Sequence, residues 1–158
     1  MSRDVKAIPP GQRTITPSLV TRDADQAIAF YKRAFGAVEV GRMCAPQSDK
    51  VMHAELRIGD SRLFLADETP QFGTRSPETL GGTPVTIHLY VEDVDATVAQ
   101  AVEAGATLRM PVADMFWGDR FGMLSDPYGH VWSVATHVED LTHEQIAERM
   151  AGAFAPTA

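Results

Sequence analysis

One cysteine, Cys44, stands among the 158 residues. A lone thiol can form no intrachain disulfide and supplies no multi-cysteine zinc site. Within Arg42-Met43-Cys44-Ala45 it reads as a small packed hydrophobe. Long apolar runs are also missing: none nears the ~20 residues that span a bilayer, so no membrane partner is expected. The opening Met1-Ser2-Arg3-Asp4-Val5-Lys6 lacks the apolar core of a secretion signal, and a cytoplasmic location is expected. Basic clusters are absent. Lys and Arg number 14 against 21 Asp and Glu, a formal net charge of −7. Nucleic-acid binding needs a basic surface that displaces counterions from phosphate, so no such partner is expected. No Gly-x-Gly-x-x-Gly, Walker-type or Gly-x-Ser-x-Gly motif occurs, which removes the common nucleotide-binding and serine-hydrolase signatures.

What is present is a chain that repeats itself. The stretch Thr16-Pro17-Ser18-Leu19-Val20-Thr21-Arg22-Asp23-Ala24-Asp25 returns, at an offset of 70 residues, as Thr86-Ile87-His88-Leu89-Tyr90-Val91-Glu92-Asp93-Val94-Asp95. Each copy opens with a strand. Asp23 and Asp93 then stand where a helix N-cap belongs, with Gln26 placed for a capping box on the first. Ala27, Ile28, Tyr31, Ala34 and Phe35 fall at helical spacing, as do Val94, Val98, Ala101 and Val102, and Gly36 and Gly105 supply the stops. Strands are predicted at 37–45, 50–58 and 62–67, and again at 106–113, 119–125 and 130–137, joined by Gly59-Asp60-Ser61 and Asp126-Pro127-Tyr128-Gly129 turns.

The resulting fold class is α+β. A β-α-β-β-β module covers 13–67, a Pro- and Gly-bearing linker 68–83, and a second module 84–138. A C-terminal helix at 141–153 starts with a Thr142/Gln145 capping box. A four-stranded sheet with one helix covers only one face. Two modules arranged as a curved eight-stranded mixed sheet leave a concave face for a small molecule.

Strand parity sorts the candidates. Met52, Ala54, Leu56 and Ile58 are the apolar set expected under the first helix, leaving Val51, His53, Glu55 and Arg57 on the other face. Val85, Ile87, Leu89 and Val91 pack under the second helix, leaving Thr86, His88, Tyr90 and Glu92 on the other. His53, Glu55 and His88 are thus candidate cavity groups, with a solvated or partner-facing sheet as the alternative. Trp117 offers a flat wall. Asp119 and Arg120 offer a charged pair, with Arg120 either clamping an anionic group or forming an internal ion pair. Trp132 reads as core, His130 as a turn group and His143 as solvated, while His137 ends a strand without an assigned role.

The order strand, Asp-capped helix, Gly-Ala, three strands, repeated once, resembles the vicinal-oxygen-chelate superfamily, and within it the PhnB-like glyoxalase/bleomycin-resistance group. The likeness rests on Ala27-Ile28-Ala29-Phe30-Tyr31-Lys32-Arg33-Ala34-Phe35-Gly36-Ala37, Met52-His53-Ala54-Glu55-Leu56-Arg57-Ile58-Gly59-Asp60, His88-Leu89-Tyr90-Val91-Glu92-Asp93-Val94-Asp95, Trp117-Gly118-Asp119-Arg120 and Asp126-Pro127-Tyr128-Gly129-His130. Metal-dependent members hold one divalent ion through the first and last strands of each module. The resemblance sets Thr16, Phe64, Thr86 and Ser133 at those positions. A phenyl ring and neutral hydroxyls are poor ligands for zinc or nickel, so no metal cofactor is expected there.

Three functions follow from the resemblance and the residues. One is a protein that binds a small organic molecule without chemistry. Another is a lyase or isomerase using His53 or His88 as general base with Glu55 as its partner. The third is a metal-dependent enzyme, of dioxygenase or glyoxalase type, with a displaced ion on His53, Glu55 and His88. The resemblance also implies a homodimer, and the linker makes exchange of modules between chains feasible.

Overall fold

Two carboxylates and two glycines frame the helices. The computed structural model describes residues 5–156. The Asp23 side chain accepts from the Gln26 backbone N–H at 3.0 Å, and Asp93 accepts from Ala96 at 2.9 Å. Each satisfies a donor that a helix start leaves unpaired. Gly36 ends the first helix at φ 64°, in the left-handed region that glycine enters without penalty.

The chain divides into two units, one ending at Gly81 and the other beginning at Gly82. The first contains β1 (Ser18–Thr21), α1 (Ala24–Phe35), β2 (Val38–Cys44), β3 (Val51–Ile58) and β4 (Ser61–Asp67). Its sheet runs β1-β4-β3-β2, with β1 parallel to β4 and the other pairs antiparallel. A 3-10 turn (Pro70–Phe72) and the short α2 (Pro77–Leu80) follow. The linker is therefore not all irregular. Thr79 of α2 donates to Glu68 at 2.8 Å and accepts from Arg22 at 3.2 Å, and Ser76 is buried. The second unit contains β5 (Thr86–Tyr90), α3 (Val94–Ala104), β6 (Thr107–Asp114), β7 (Asp119–Ser125) and β8 (Val131–His137), in the order β5-β8-β7-β6, then α4 (His143–Ala153). The eight strands thus form two four-stranded mixed sheets of an α+β fold.

Each unit has its own core. In the first, Ala27, Ile28, Phe30, Tyr31 and Ala34 of α1 are buried, as are Leu19, Ala54, Leu56, Leu63 and Leu65 of the sheet. In the second, Val94, Val98 and Ala101 of α3 are buried together with Leu124, Trp132 and Val134. Trp132 is fully buried and its indole N–H donates to Asp126 at 2.9 Å, so a polar atom enters the core with a partner.

The local side-chain ties repeat as well. Asp67, ending β4, accepts from the Ala24 and Val51 backbone N–H groups, both at 2.7 Å. In the second unit Thr136 of β8 takes the matching place. It accepts from Val94 at 2.9 Å and donates to the Val91 carbonyl at 2.9 Å.

Five side chains depart from the parity or packing expected of them, the first being Val85, which precedes β5 and is 62% exposed instead of packing under α3. Met43 pairs with His53 and Cys44 with Val51, which leaves Met52 as an extra residue on β3. The bulge turns Val51 into the core and Met52 outward, the reverse of strict alternation. Cys44 is exposed rather than packed. Val102 is 42% exposed, because the buried stripe of α3 narrows to Val94, Val98 and Ala101.

Candidate functional site

The two candidate residues on β3 lie on the sheet face opposite α1, half-buried, where Arg62 and Phe64 of β4 join them. They do not form a base and its partner. The Glu55 carboxylate accepts from Gln12 at 2.8 Å and is ion-paired with Arg62. His53 instead meets Phe64 edge-on, ring centroids 4.8 Å apart. A carboxylate held by a guanidinium has little attraction left to orient an imidazole. Residues 7–16 pass beside this face. With Phe64 they line a hollow of about 420 Å³ that includes Ile8, Pro9, Gln12 and Thr16.

The second unit gathers more. His88 pairs across β5 and β8 with Ser133, and its Nδ1 lies 2.7 Å from the Ser133 hydroxyl. The His88 ring stands between Tyr90, edge-on at 4.6 Å, and Phe121 of β7, stacked at 6.1 Å. Trp117 meets Phe121 edge-on at 5.4 Å. Tyr90, 66% exposed, is the outermost ring on β5. These rings form an aromatic floor on the sheet face opposite α3.

Asp119, at the start of β7, organises the polar part of this floor. Its Oδ2 accepts from the Tyr90 hydroxyl at 3.1 Å and from the Trp117 indole N–H at 3.0 Å. Its Oδ1 lies 2.8 Å from His137 Nδ1, and His137 Nε2 reaches Asp140 at 2.9 Å. Burial pushes the Asp119 carboxyl up, but the donors His137, Tyr90 and Trp117 outweigh it, and the group stays charged below its ordinary range. The hydrogen bond to Asp119, and then the one to Asp140, raise His137. Tyr90 is raised by its bond to Asp119 and by partial burial, so the phenol keeps its proton and is a poor base.

Strand parity put His88 and Tyr90 on this face, and Trp117 and Asp119 were named from the sequence as binding candidates without a face. Sequence reasoning missed Phe121 and His137. Both share the parity of Ser133 and Ala135 through their ladder partners, since Phe121 pairs with Ala135 and Asp119 with His137. Arg120 is not part of the cluster. Its Nε and Nη2 donate to Asp95 of α3 at 2.6 and 2.8 Å, and its Nη1 to Asp114 at 3.1 Å. As the neighbour of Asp119 on one strand it points to the opposite, helix-bearing face. An exposed ion pair with Asp95 and Asp114, neither the internal pair nor the anion clamp, describes it.

The model of the Glyoxalase/Bleomycin resistance protein/Dioxygenase superfamily matches residues 13–134.

The chain belongs to that superfamily.

An uncharacterised protein of Mycobacterium tuberculosis strain H37Rv is 47% identical over 139 residues, covering 86% of this chain and 81% of its own. The crystal structure of an Arabidopsis thaliana gene product is similar with a TM-score of 0.64 and 30% identity, covering 78% of this chain and 98% of that one. The PhnB protein of Bacillus cereus shares the fold at 20% identity, with a TM-score of 0.60 over 78% of this chain and 99% of that one.

The resemblance implies divalent-metal ligands at positions 16, 64, 86 and 133. Thr16 and Thr86 offer neutral hydroxyls, the Phe64 ring has no donor atom and packs against His53, and the Ser133 hydroxyl is bonded to His88. Among the described residues no three His, Cys, Asp or Glu side chains are grouped to hold a metal ion. None of the described helices is long and apolar enough to cross a membrane.

Proposed function

We propose that this glyoxalase-superfamily chain is a cytoplasmic protein that binds a small planar organic molecule on the β5–β8–β7 face, without the superfamily's usual metal. The observation that carries the reading is the floor of Tyr90, His88, Phe121 and Trp117, rings set edge-on or stacked and open on one side. Such rings give large contact area with few torsions to freeze. The charges favour a neutral ligand. Arg120, the cation expected to clamp an anion, is held by Asp95 and Asp114, whereas the Asp119 carboxylate lies at the floor. His88 Nε2, without a hydrogen-bond partner among the described residues, is the polar atom available to orient it.

The test uses 2-naphthol against 2-naphthoate, titrated by calorimetry into the full chain. Binding of the naphthol, stronger than of the naphthoate and weakened roughly ten-fold in Tyr90→Ala, supports the reading, ten-fold being about the worth of one well-packed aromatic contact. Naphthol that leaves Tyr90→Ala and wild type alike, or no binding of either, defeats it.

A second reading is catalysis by a lyase or isomerase with His88 as general base, supported by the same open Nε2. It separates from the first in His88→Gln, which would keep affinity and lose turnover. We also propose a homodimer, supported by the exposed apolar side chains Val38, Val40 and Met43 on β2, an edge strand of the first sheet.

A further inference from the structure

The aromatic floor does not stop at Trp117. Phe116 meets Trp117 edge-on at 4.9 Å, and Phe154, just past α4, meets Phe116 edge-on at 6.0 Å. Rings therefore run without a break from the end of the C-terminal helix to Tyr90.

A second connection holds the start of α4 to the same corner. The Gly118 carbonyl accepts from the backbone N–H groups of Val138 and Glu139, both at 3.0 Å. Gly118 sits at φ +98°, and a Cβ there would lie 2.5 Å from the Glu139 carbonyl oxygen and 3.3 Å from a Leu141 methyl. Only glycine lets residues 138–141 press this closely on the loop that carries Trp117. From that buckle α4 departs through the Thr142/Gln145 capping box, and Arg149 pairs with Glu139 at 2.7 Å.

Between these two attachments α4 is lightly held. None of its residues is fully buried, and its apolar stripe, Ile146 and Met150 leading to Phe154, is only partly covered. An element with so little buried area opens and shifts at low cost. Yet Phe154 at its far end, though 75% exposed, meets the Phe116 ring that packs edge-on against Trp117.

We infer that α4 is an adjustable wall of the ligand face, with Phe116 and Phe154 as positioning residues that set Trp117 and thereby select ligand size. This rests on the ligand reading given above for the Tyr90–Trp117 face. Trp117 is tied from one side by its indole N–H to Asp119 and from the other by Phe116. Loosening α4 takes Phe154 away from Phe116 and so slackens the second tie, while the Asp119 hydrogen bond and the Phe121 contact stay. The indole then pivots about its hydrogen bond, the floor widens at the Trp117 end, and discrimination between one-ring and two-ring ligands falls. Phe154 touches no ligand in this scheme.

The experiment labels the chain with 5-fluorotryptophan, which gives one 19F signal for Trp117 and one for the buried Trp132, assigned with Trp117→Phe. Spectra of ligand-free wild type, Phe154→Ala, Phe154→Leu and Arg149→Gln are compared, and phenol and 2-naphthol affinities are measured for each. The expected result is a moved or broadened Trp117 signal in Phe154→Ala with the Trp132 signal in place, and smaller displacements in Phe154→Leu and Arg149→Gln. The naphthol-to-phenol preference should fall roughly two- to ten-fold in Phe154→Ala, the span one aromatic pair supports. An unmoved Trp132 signal certifies that the variant is folded. A Trp117 signal unchanged in both Phe154→Ala and Arg149→Gln overturns the inference whatever the ligands do. A displaced Trp117 signal in a protein whose wild type takes up neither phenol nor naphthol defeats the ligand reading alone and leaves the coupling of α4 to Trp117 standing.

Discussion

At Asp119 burial and hydrogen bonding act in opposite directions, and hydrogen bonding prevails. The same bond raises His137 from its ordinary 6.5. The signs define a window. A His raised on folding contributes stability below its unfolded value and loses it as pH climbs through the folded one. A carboxylate lowered on folding contributes above its unfolded value, 3.8 for Asp119, and loses it as pH falls through the folded one. The His137–Asp119 pair is therefore fully formed between about pH 4 and pH 6.5 and weakens on both sides. An NMR titration of the His137 ring should give a midpoint above 6.5, and Asp119→Asn should bring it down. A midpoint at or below 6.5 in wild type would contradict the arrangement. Much of this cluster was legible from alternation alone. Adjacent residues on a strand point to opposite faces, so Asp119 and Arg120 were never able to serve one pocket together. The same rule carried from Ser133 through Ala135 reaches His137. What alternation lacks is the ladder register, which supplied the Tyr90–Asp119 and His88–Ser133 pairings.

Among the elements, the helix starts and stops were readable because their chemistry is local. Asp23, Asp93 and the Thr142/Gln145 box each satisfy donors within three residues. The ties from Asp67 and Thr136 were not readable, because each spans more than a dozen residues of chain. Nor was the bulge at Met52, which arises from how β2 pairs with β3. Asp67→Ala leaves the Ala24 and Val51 N–H groups without their acceptor and should lower unfolding free energy in urea by about 1–3 kcal/mol. A loss under about 0.5 kcal/mol would mean that water replaces the carboxylate, against the ordinary cost of an unpaired donor. The glycines give a paired prediction. At Gly36 a Cβ meets nothing within 4 Å, so Gly36→Ala costs the left-handed strain alone, about 1–2 kcal/mol. At Gly118 the same strain is joined by collision with the Glu139 carbonyl, so Gly118→Ala should be the more destabilising of the two by the same urea measurement.

For the whole molecule, the repeat has produced two units of like topology, each with a buried helix stripe, and different open faces. In the first unit Gln12 and Arg62 both bond to Glu55, though Gln12 Oε1 has no partner among the described residues, while the second keeps aromatic rings and, at His88 Nε2, an imidazole nitrogen without a hydrogen-bond partner among the described residues. Shared topology with different side chains on the open faces is why one βαβββ pattern was enough to read the fold and not the site. It also bears on assembly. β2 ends the first sheet, so one of its edges has no strand beside it, and Val38, Val40 and Met43 on it are exposed. An open edge bearing apolar side chains is a surface that natural proteins cover or pair. Nothing on β2 blunts it with proline, and its charged side chains, Glu39 and Arg42, are drawn toward Lys32 and Asp25 of α1. The homodimer proposed above would cover these side chains. Light scattering should then report about twice 17.2 kDa at micromolar concentration. The double variant Val40→Lys, Met43→Lys should bring the mass down to one chain, since burying two new charges costs more than exposing two apolar side chains. A wild-type mass of one chain would remove the dimer, and a variant that stays dimeric would move the interface off β2.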